Sequence, residues 1–99
     1  MQDLNKKIAL IGGGNMARSL VGGLVAHGYP ADHIYVVDPH MEKRAALAEQ
    51  FGVHVEEHHQ DVVPQVDVLI LAVKPQVMAQ TVADLAPAVR SHGPFIISV

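Results

Sequence analysis

The sequence predicts an α/β fold in a single domain over residues 1–99. Short apolar runs of strand length alternate along the chain with longer segments whose apolar residues recur at helical spacing. Three consecutive glycines, residues 12–14, stand between the first apolar run and the first helical segment. Strands that alternate with helices are joined by right-handed crossovers, so we expect the strands to form a parallel sheet.

The first strand is expected at residues 8–11, an apolar run typical of a strand that is buried on both faces. The first helix follows the glycines and ends near Gly28, since glycine is a common residue after a helix. Gly22 and Gly23 lie inside this helix and each lowers its propensity by about 1 kcal/mol relative to alanine. They therefore indicate close packing of the helix against the sheet.

The rest of the chain repeats this alternation. Further strands are predicted at residues 34–37, 53–55, 67–73 and 95–99. The second helix is expected to begin at Asp38-Pro39 and to stop at Gly52, and the third to begin near Gln76. About one helical turn is expected within residues 60–65. The apolar last strand lacks a partner on its outer side, which indicates a missing neighbour.

These elements predict a Rossmann-like three-layer sandwich, with helices on both faces of a mostly parallel sheet of strand order 3-2-1-4-5. The winding direction reverses between strands one and four, and ligands of such sheets bind beside that point at the carboxyl ends of the strands. The segments that border this crevice are residues 11–17 and 72–75.

The glycine segment matches the GxGxxG/A dinucleotide-binding fingerprint at Gly12, Gly14 and Ala17. Gly12 is expected to permit a tight turn, Gly14 to let a pyrophosphate approach the backbone, and Ala17 to let helix and strand pack closely. The N–H groups of Asn15 and Met16, in the first helical turn, would point at the phosphates. Alternatively, Asn15 is a helix cap and Met16 belongs to the core, and the glycine turn is only structural.

Asp38 ends the second strand, where an acidic residue of this fold binds the adenosine ribose and favours NAD over NADP. The alternative is a helix cap, because aspartate followed by proline is a common helix start. Lys43 and Arg44 lie one turn further on, close enough to reach a 2′-phosphate. The sequence therefore leaves the choice between NAD(H) and NADP(H) open.

Lys74 precedes a proline and is therefore held extended at the end of the fourth strand. A lysine at a strand end is more often a solvated charge than a functional group. Its place beside the glycine turn, at the switch point of the sheet, is what indicates a role in the site.

Composition and motifs exclude several other classes of function. A net charge of −3 offers no basic surface for nucleic acid, and no apolar run has the length of a membrane span. The chain has no cysteine and no segment of signal-peptide form, which predicts a cytoplasmic location. The seven histidines lack the spacing of metal ligands, and neither a nucleophile elbow nor a P-loop is found.

Three stretches carry a likeness to a known family. They are IGGGNMA at residues 11–17, the EKR at residues 42–44 with Leu47 and FGV at residues 51–53, and DVLILAVKPQ at residues 67–76. The first occurs in many dehydrogenases, whereas AVKPQ is much more particular. With these stretches the chain resembles, over essentially its whole length, the N-terminal half of a pyrroline-5-carboxylate reductase. That family reduces Δ1-pyrroline-5-carboxylate to L-proline with NADPH or NADH, the last step of proline biosynthesis.

The resemblance implies that residues 11–16 hold the pyrophosphate and that residues 72–75 lie along the nicotinamide ribose. Family members often have a small polar or basic residue in place of Asp38, and an asparagine in place of His59. The predicted cofactor-binding residues are Ile11, Gly12, Gly13, Gly14, Asn15, Met16, Ala17, Asp38, His59, Ala72, Val73, Lys74 and Pro75. No catalytic or metal-binding residue is predicted in the chain.

In the family an all-helical C-terminal domain follows, forms the dimer and supplies the substrate pocket. We therefore expect this chain to be a fragment with little or no reductase activity alone, because the protein's share of hydride chemistry is mainly orientation. The full-length protein is expected to bind a small imino acid and to be a homo-oligomer. The alternatives are a related reductase, such as a deazaflavin-dependent NADP oxidoreductase or a prephenate dehydrogenase, a non-catalytic nucleotide-sensing module, and a domain whose turn binds nothing.

Overall fold

A five-stranded parallel sheet forms the centre of the computed structural model, which describes residues 5–98. Its strands are β1 (Ile8–Ile11), β2 (Ile34–Val37), β3 (His54–Glu56), β4 (Val68–Leu71) and β5 (Phe95–Ser98). Neighbouring strands pair in parallel in the order β3-β2-β1-β4-β5. The predicted α/β class and strand order are therefore confirmed.

Three helices connect the strands, α1 (Asn15–Ala26), α2 (Met41–Phe51) and α3 (Pro75–His92). The connector before β4 contains two 3₁₀ turns, His59–Asp61 and Val63–Gln65, where the sequence predicts about one helical turn. The second helix begins later than predicted, and β4 is shorter at both ends. Val99, the last residue of the predicted fifth strand, lies outside the described residues.

Alternation along the strands divides the core into two clusters, one on each face of the sheet. Every residue of β1 and β2 is buried, as expected for strands that are covered on both sides. Ala9 and Ile11 of β1 pack with Leu85 of α3, whereas Ile8 and Leu10 pack with α1 and α2. The sheet is thus the middle layer of three.

The two glycines inside α1 do not pack against the sheet, which corrects the sequence-based expectation. A Cβ atom at Gly22 would lie 3.4 Å from the Phe51 ring of α2, and at Gly23 it would meet nothing within 4 Å. Gly22 therefore faces the neighbouring helix. Gly23 is exposed.

The outer edge of the sheet at β5 is apolar. Phe95, Ile96 and Ile97 are 68%, 43% and 39% exposed, and β5 pairs with β4 alone among the described strands. No helix in residues 5–98 has the length and hydropathy to cross a membrane.

Candidate functional site

The turn between β1 and α1 is bonded to the strands on both sides of it. The Gly12 N–H donates to the Val37 carbonyl at 2.8 Å, and the Ala72 N–H donates to the Ile11 carbonyl at 2.9 Å. Gly12 has a φ of +112°, and a Cβ there would lie 2.6 Å from the Ala72 carbonyl oxygen. Glycine is therefore required at this position, as the tight turn indicates.

Gly14 differs from Gly12 in both conformation and surroundings. It precedes α1 with a φ of −82°, and a Cβ at this position would meet no atom within 4 Å. It lines a cavity of about 610 Å³, so that added side-chain atoms would project into open space. Gly14 is therefore not required by the fold, and its backbone is open to a ligand.

The residues after Gly14 divide between surface and core. Asn15 and Met16 are exposed in the first turn of α1, and Met16 is 53% exposed, so its alternative assignment to the core is wrong. Asn15 is the first helical residue, not the cap, because Gly14 occupies the cap position. Ala17 is fully buried in the cluster that contains Ile8 and Leu10, as close packing of α1 on the sheet requires.

Asp38, directly after β2, is a buried carboxylate that bonds to the glycine turn. Its Oδ2 accepts the Gly13 N–H at 2.8 Å, and its Oδ1 accepts both the backbone N–H and the ring Nδ1 of His40 at 2.8 Å. Burial alone would raise the pKa of Asp38. The bonds from His40 and Gly13, together with the charge of Lys43, outweigh burial and hold that pKa below its ordinary value.

Asp38 is not the cap of the second helix, so that alternative is wrong. The residue before α2 is His40, and no side chain hydrogen-bonds the first turn of α2 as a cap. Instead the carboxylate reaches back across the sheet to Gly13. The Arg44 guanidinium donates to the Asp38 carbonyl at 2.9 Å, which further ties the start of α2 to this residue.

A cavity of about 610 Å³ opens at the carboxyl ends of β1, β2 and β4, where the sheet order predicts it. It is surrounded by the glycine turn, the segment after β2, the connector at residues 57–60, the end of β4 and one face of α3. The predicted residues among its lining are Ile11, Gly12, Gly13, Gly14, Asp38, His59, Ala72, Val73 and Lys74. Asn15, Met16, Ala17 and Pro75 are outside the lining.

The lining also contains residues that sequence reasoning did not select. Val77, Thr81 and Asp84 lie on the face of α3 toward the cavity, and His40 precedes α2. Lys43, which the sequence places within reach of a 2′-phosphate, lines the cavity as well. The three α3 residues have the i, i+4, i+7 spacing of a single helix face, a signal that the sequence contains. Asp84 accepts a hydrogen bond from Gln80 at 2.8 Å, so its carboxylate is already engaged on the helix surface.

His59 leaves one polar atom of the cavity wall without a partner. Its Nδ1 is buried and makes no hydrogen bond to any described residue. A buried ring nitrogen without a hydrogen-bond partner lowers the stability of the folded state by about 1–3 kcal/mol. The cavity wall therefore contains a polar atom that a ligand could satisfy. Within residues 5–98, no group of His, Cys, Asp or Glu side chains is arranged to hold a metal ion.

Comparison with known proteins gives one family match and several relatives that bear a common name. The family model for "NADP oxidoreductase coenzyme F420-dependent" matches residues 7–99. The pyrroline-5-carboxylate reductase of Pseudomonas aeruginosa is 48% identical over 93 residues, which are 94% of this chain and 34% of that protein. The Escherichia coli enzyme of the same name is 37% identical over 97 residues, 97% of this chain and 36% of that protein.

Solved structures show the same fold. A pyrroline-5-carboxylate reductase from Coxiella burnetii superposes with a TM-score of 0.90 at 34% identity, over 95% of this chain and 35% of that one. The Plasmodium falciparum pyrroline carboxylate reductase, solved with NADP bound, has a TM-score of 0.81 at 17% identity, over 99% and 34%. The chain therefore spans about a third of the length of the relatives it matches.

Proposed function

The chain belongs to the coenzyme F420-dependent NADP oxidoreductase family, and from that premise we propose that it binds a nicotinamide dinucleotide in the cavity at the glycine turn. The observation that carries the proposal is Gly14, whose missing side chain leaves open space at the start of a helix. Helix N-termini bind phosphate through unpaired N–H groups and the positive end of the dipole. The cavity of about 610 Å³ is within the range typical of small-molecule sites.

The residues of the cavity fit the three parts of such a cofactor. Residues 11–16 would hold the pyrophosphate, and Asp38 would lie at the adenosine ribose. His59 would complete its hydrogen bonding with the ligand. Ala72, Val73 and Lys74, with Pro75 behind them, would lie along the nicotinamide ribose, because β4 ends beside the turn.

We propose further that the longer protein to which this domain corresponds reduces the C=N bond of Δ1-pyrroline-5-carboxylate to give L-proline. A bound reduced nicotinamide would supply the hydride to the imine carbon and be oxidised, and the imine nitrogen would take up a proton from solvent. Relatives up to 48% identical that are named pyrroline-5-carboxylate reductases favour this reaction over that of the deazaflavin-dependent alternative. The chain's own part is to bind and orient the cofactor, as a single domain over residues 1–99.

We propose that the longer protein also has the substrate pocket and forms the homo-oligomer that the resemblance implies. Orientation of two reactants contributes a large part of enzymatic rate enhancement. We therefore expect the 99-residue chain to bind cofactor but to show little or no reductase activity by itself.

The test is titration of the 99-residue chain with NADH and NADPH, followed by calorimetry and thermal unfolding. A bound ligand stabilises the folded state by about 2.7 kcal/mol at a hundredfold excess over Kd. Gly14→Val should abolish this stabilisation, because its side chain occupies the space that the pyrophosphate needs. The matched control is Gly23→Val in the same helix, which also has open space within 4 Å but does not line the cavity.

Two results would contradict the proposal. One is a cooperatively folded chain that neither dinucleotide stabilises. The other is a Gly14→Val variant that binds either dinucleotide as tightly as the unmodified chain does.

A further inference from the structure

We propose that His40 hydrogen-bonds the adenosine ribose of the dinucleotide and, together with Asp38, makes this site prefer NADH to NADPH. The inference rests on the proposed function, because it concerns which dinucleotide the cavity takes. It assigns a specificity-determining role to a histidine that the sequence patterns do not mark.

Asp38 has little hydrogen-bonding capacity left for a ligand. Its Oδ1 already accepts two bonds from His40, and its Oδ2 accepts one from Gly13. A carboxylate oxygen has two lone-pair sites, so one site on Oδ2 remains. The carboxylate can therefore accept one further hydroxyl proton and does not by itself satisfy both hydroxyls of a ribose.

The second acceptor is the outer nitrogen of His40. Asp38 is ionised and can only accept, so the His40 Nδ1 at 2.8 Å must carry the proton of that bond. In the neutral ring the other nitrogen, Nε2, is then a bare acceptor. The His40 side chain is 58% exposed and lines the cavity, and no described residue hydrogen-bonds its Nε2.

Two acceptors on separate residues of the cavity lining, Asp38 and His40, suit a vicinal diol. The 2′- and 3′-hydroxyls of NADH offer two donors to the Asp38 Oδ2 and the His40 Nε2. A 2′-phosphate removes one of these donors and adds acceptor oxygens with about −1.5 to −2 charges, by analogy with other phosphate monoesters. The phosphate would thus meet an acceptor nitrogen and a buried carboxylate.

The surrounding charges do not compensate for this mismatch. Of the two basic residues at the start of α2, Arg44 donates to the Asp38 carbonyl and lies outside the cavity lining. Lys43 lines the cavity, but so does Glu57, with His58 4.0 Å from the Glu57 carboxylate. In the lining on this side of the cavity, the two carboxylates of Asp38 and Glu57 therefore face the single fixed cation of Lys43.

The experiment compares the Kd values of NADH and NADPH for the 99-residue chain, at one pH and salt concentration. The unmodified chain should bind NADH at least about tenfold more tightly. His40→Ala should raise the Kd of NADH about three- to tenfold, as expected for the loss of roughly one hydrogen bond, and leave the Kd of NADPH nearly unchanged. His40→Arg should reverse the preference, because a donor cation replaces the acceptor.

The ratio of the two Kd values distinguishes ribose recognition by His40 from a purely structural role of this residue. A variant that only loosens the loop weakens the binding of both dinucleotides by the same factor. His27→Ala is the matched control, because His27 follows the far end of α1 and lies outside the cavity lining. Unfolding midpoints without ligand check that each variant is folded, and the comparison on the unmodified chain needs no variant.

The outcomes distinguish the two proposals. Binding of neither dinucleotide overturns the proposed function and this inference with it. Binding that Gly14→Val abolishes, but with equal Kd values or tighter NADPH in the unmodified chain, overturns the preference alone. An NADH preference that His40→Ala leaves unchanged overturns the role of His40.

Discussion

A single buried carboxylate links two parts of the site. Asp38 bonds the glycine turn through Gly13 and the start of α2 through His40, so its charge holds two loops that are far apart in sequence. Hydrogen bonds to an ionised group are worth more than those between neutral groups. The shape of the cavity wall therefore depends on the protonation state of this one residue.

Asp38→Asn should lower the free energy of unfolding by about 1–2 kcal/mol at neutral pH. The pKa of Asp38 is lowered in the folded state, so its contribution is present above the unfolded-state pKa of about 3.9 and is lost as the pH falls through the folded value. The gap between wild type and variant should therefore close in acid. Urea denaturation from pH 7 to pH 3 measures it, and Asp32→Asn, at an exposed aspartate, is the control. A gap that does not change with pH would contradict this account.

Substitution by alanine should destabilise the fold strongly at Gly12 and hardly at all at Gly14. Gly12→Ala places a Cβ 2.6 Å from a backbone oxygen in a φ region that L-residues rarely adopt, so we expect a loss of about 2–4 kcal/mol in unfolding free energy. Gly14→Ala meets no atom and should change stability by less than about 0.5 kcal/mol. Chemical denaturation of both variants tests the contrast, which equal losses would refute.

At the scale of elements, the two glycines inside α1, Gly22 and Gly23, lower the stability of this helix. Gly23→Ala should raise the free energy of unfolding by about 0.5–1 kcal/mol, because alanine has the higher helix propensity and the added methyl group meets nothing within 4 Å. Gly22→Ala is the comparison, and its gain should be at least as large, since its Cβ would make an ordinary van der Waals contact with the Phe51 ring at 3.4 Å. Thermal unfolding should show a rise of a few degrees for Gly23→Ala. No rise would indicate that Gly23 has a role that its surroundings do not show.

The sheet was predictable from the sequence because burial on both faces leaves continuous apolar runs, such as Ile8–Ile11 and Ile34–Val37. The start of α2 was not, because the Asp38 carboxylate bonds Gly13, 25 positions earlier, and His40, and does not cap the first turn of α2. Helix propensity and capping patterns depend on residues that are close in sequence, so they do not predict a tertiary hydrogen bond of this kind. His40 escaped prediction for the same reason, since its role follows from the bond to Asp38.

At the scale of the whole molecule, the cavity and the outer edge of the sheet differ in polarity. The cavity at the switch point has polar groups on several sides, whereas the outer edge at β5 presents Phe95 and Ile96 to solvent. An unpaired apolar strand is a template for pairing with another chain. The 99-residue chain should accordingly self-associate at high concentration.

Phe95→Lys should reduce that association, because a charged side chain on an edge strand disfavours pairing with a second chain. Sedimentation velocity over a range of concentrations measures it. Met41→Lys is a suitable control, since Met41 is 72% exposed on α2, away from β5. Equal association of the two variants would show that the β5 edge is not the contact.

The bonds from Gly12 to β2 and from Ala72 to β1 make the floor of the cavity part of the sheet. A harmful substitution in this floor should therefore appear in a cell as a shortage of protein, because the chain unfolds and is degraded before its affinity matters. Substitutions at the rim, at Gly14 or His40, should leave abundance normal and change only what is bound. Two neighbouring parts of one site would thus produce separate classes of defect in a survey of variants, one in protein quantity and the other in ligand choice.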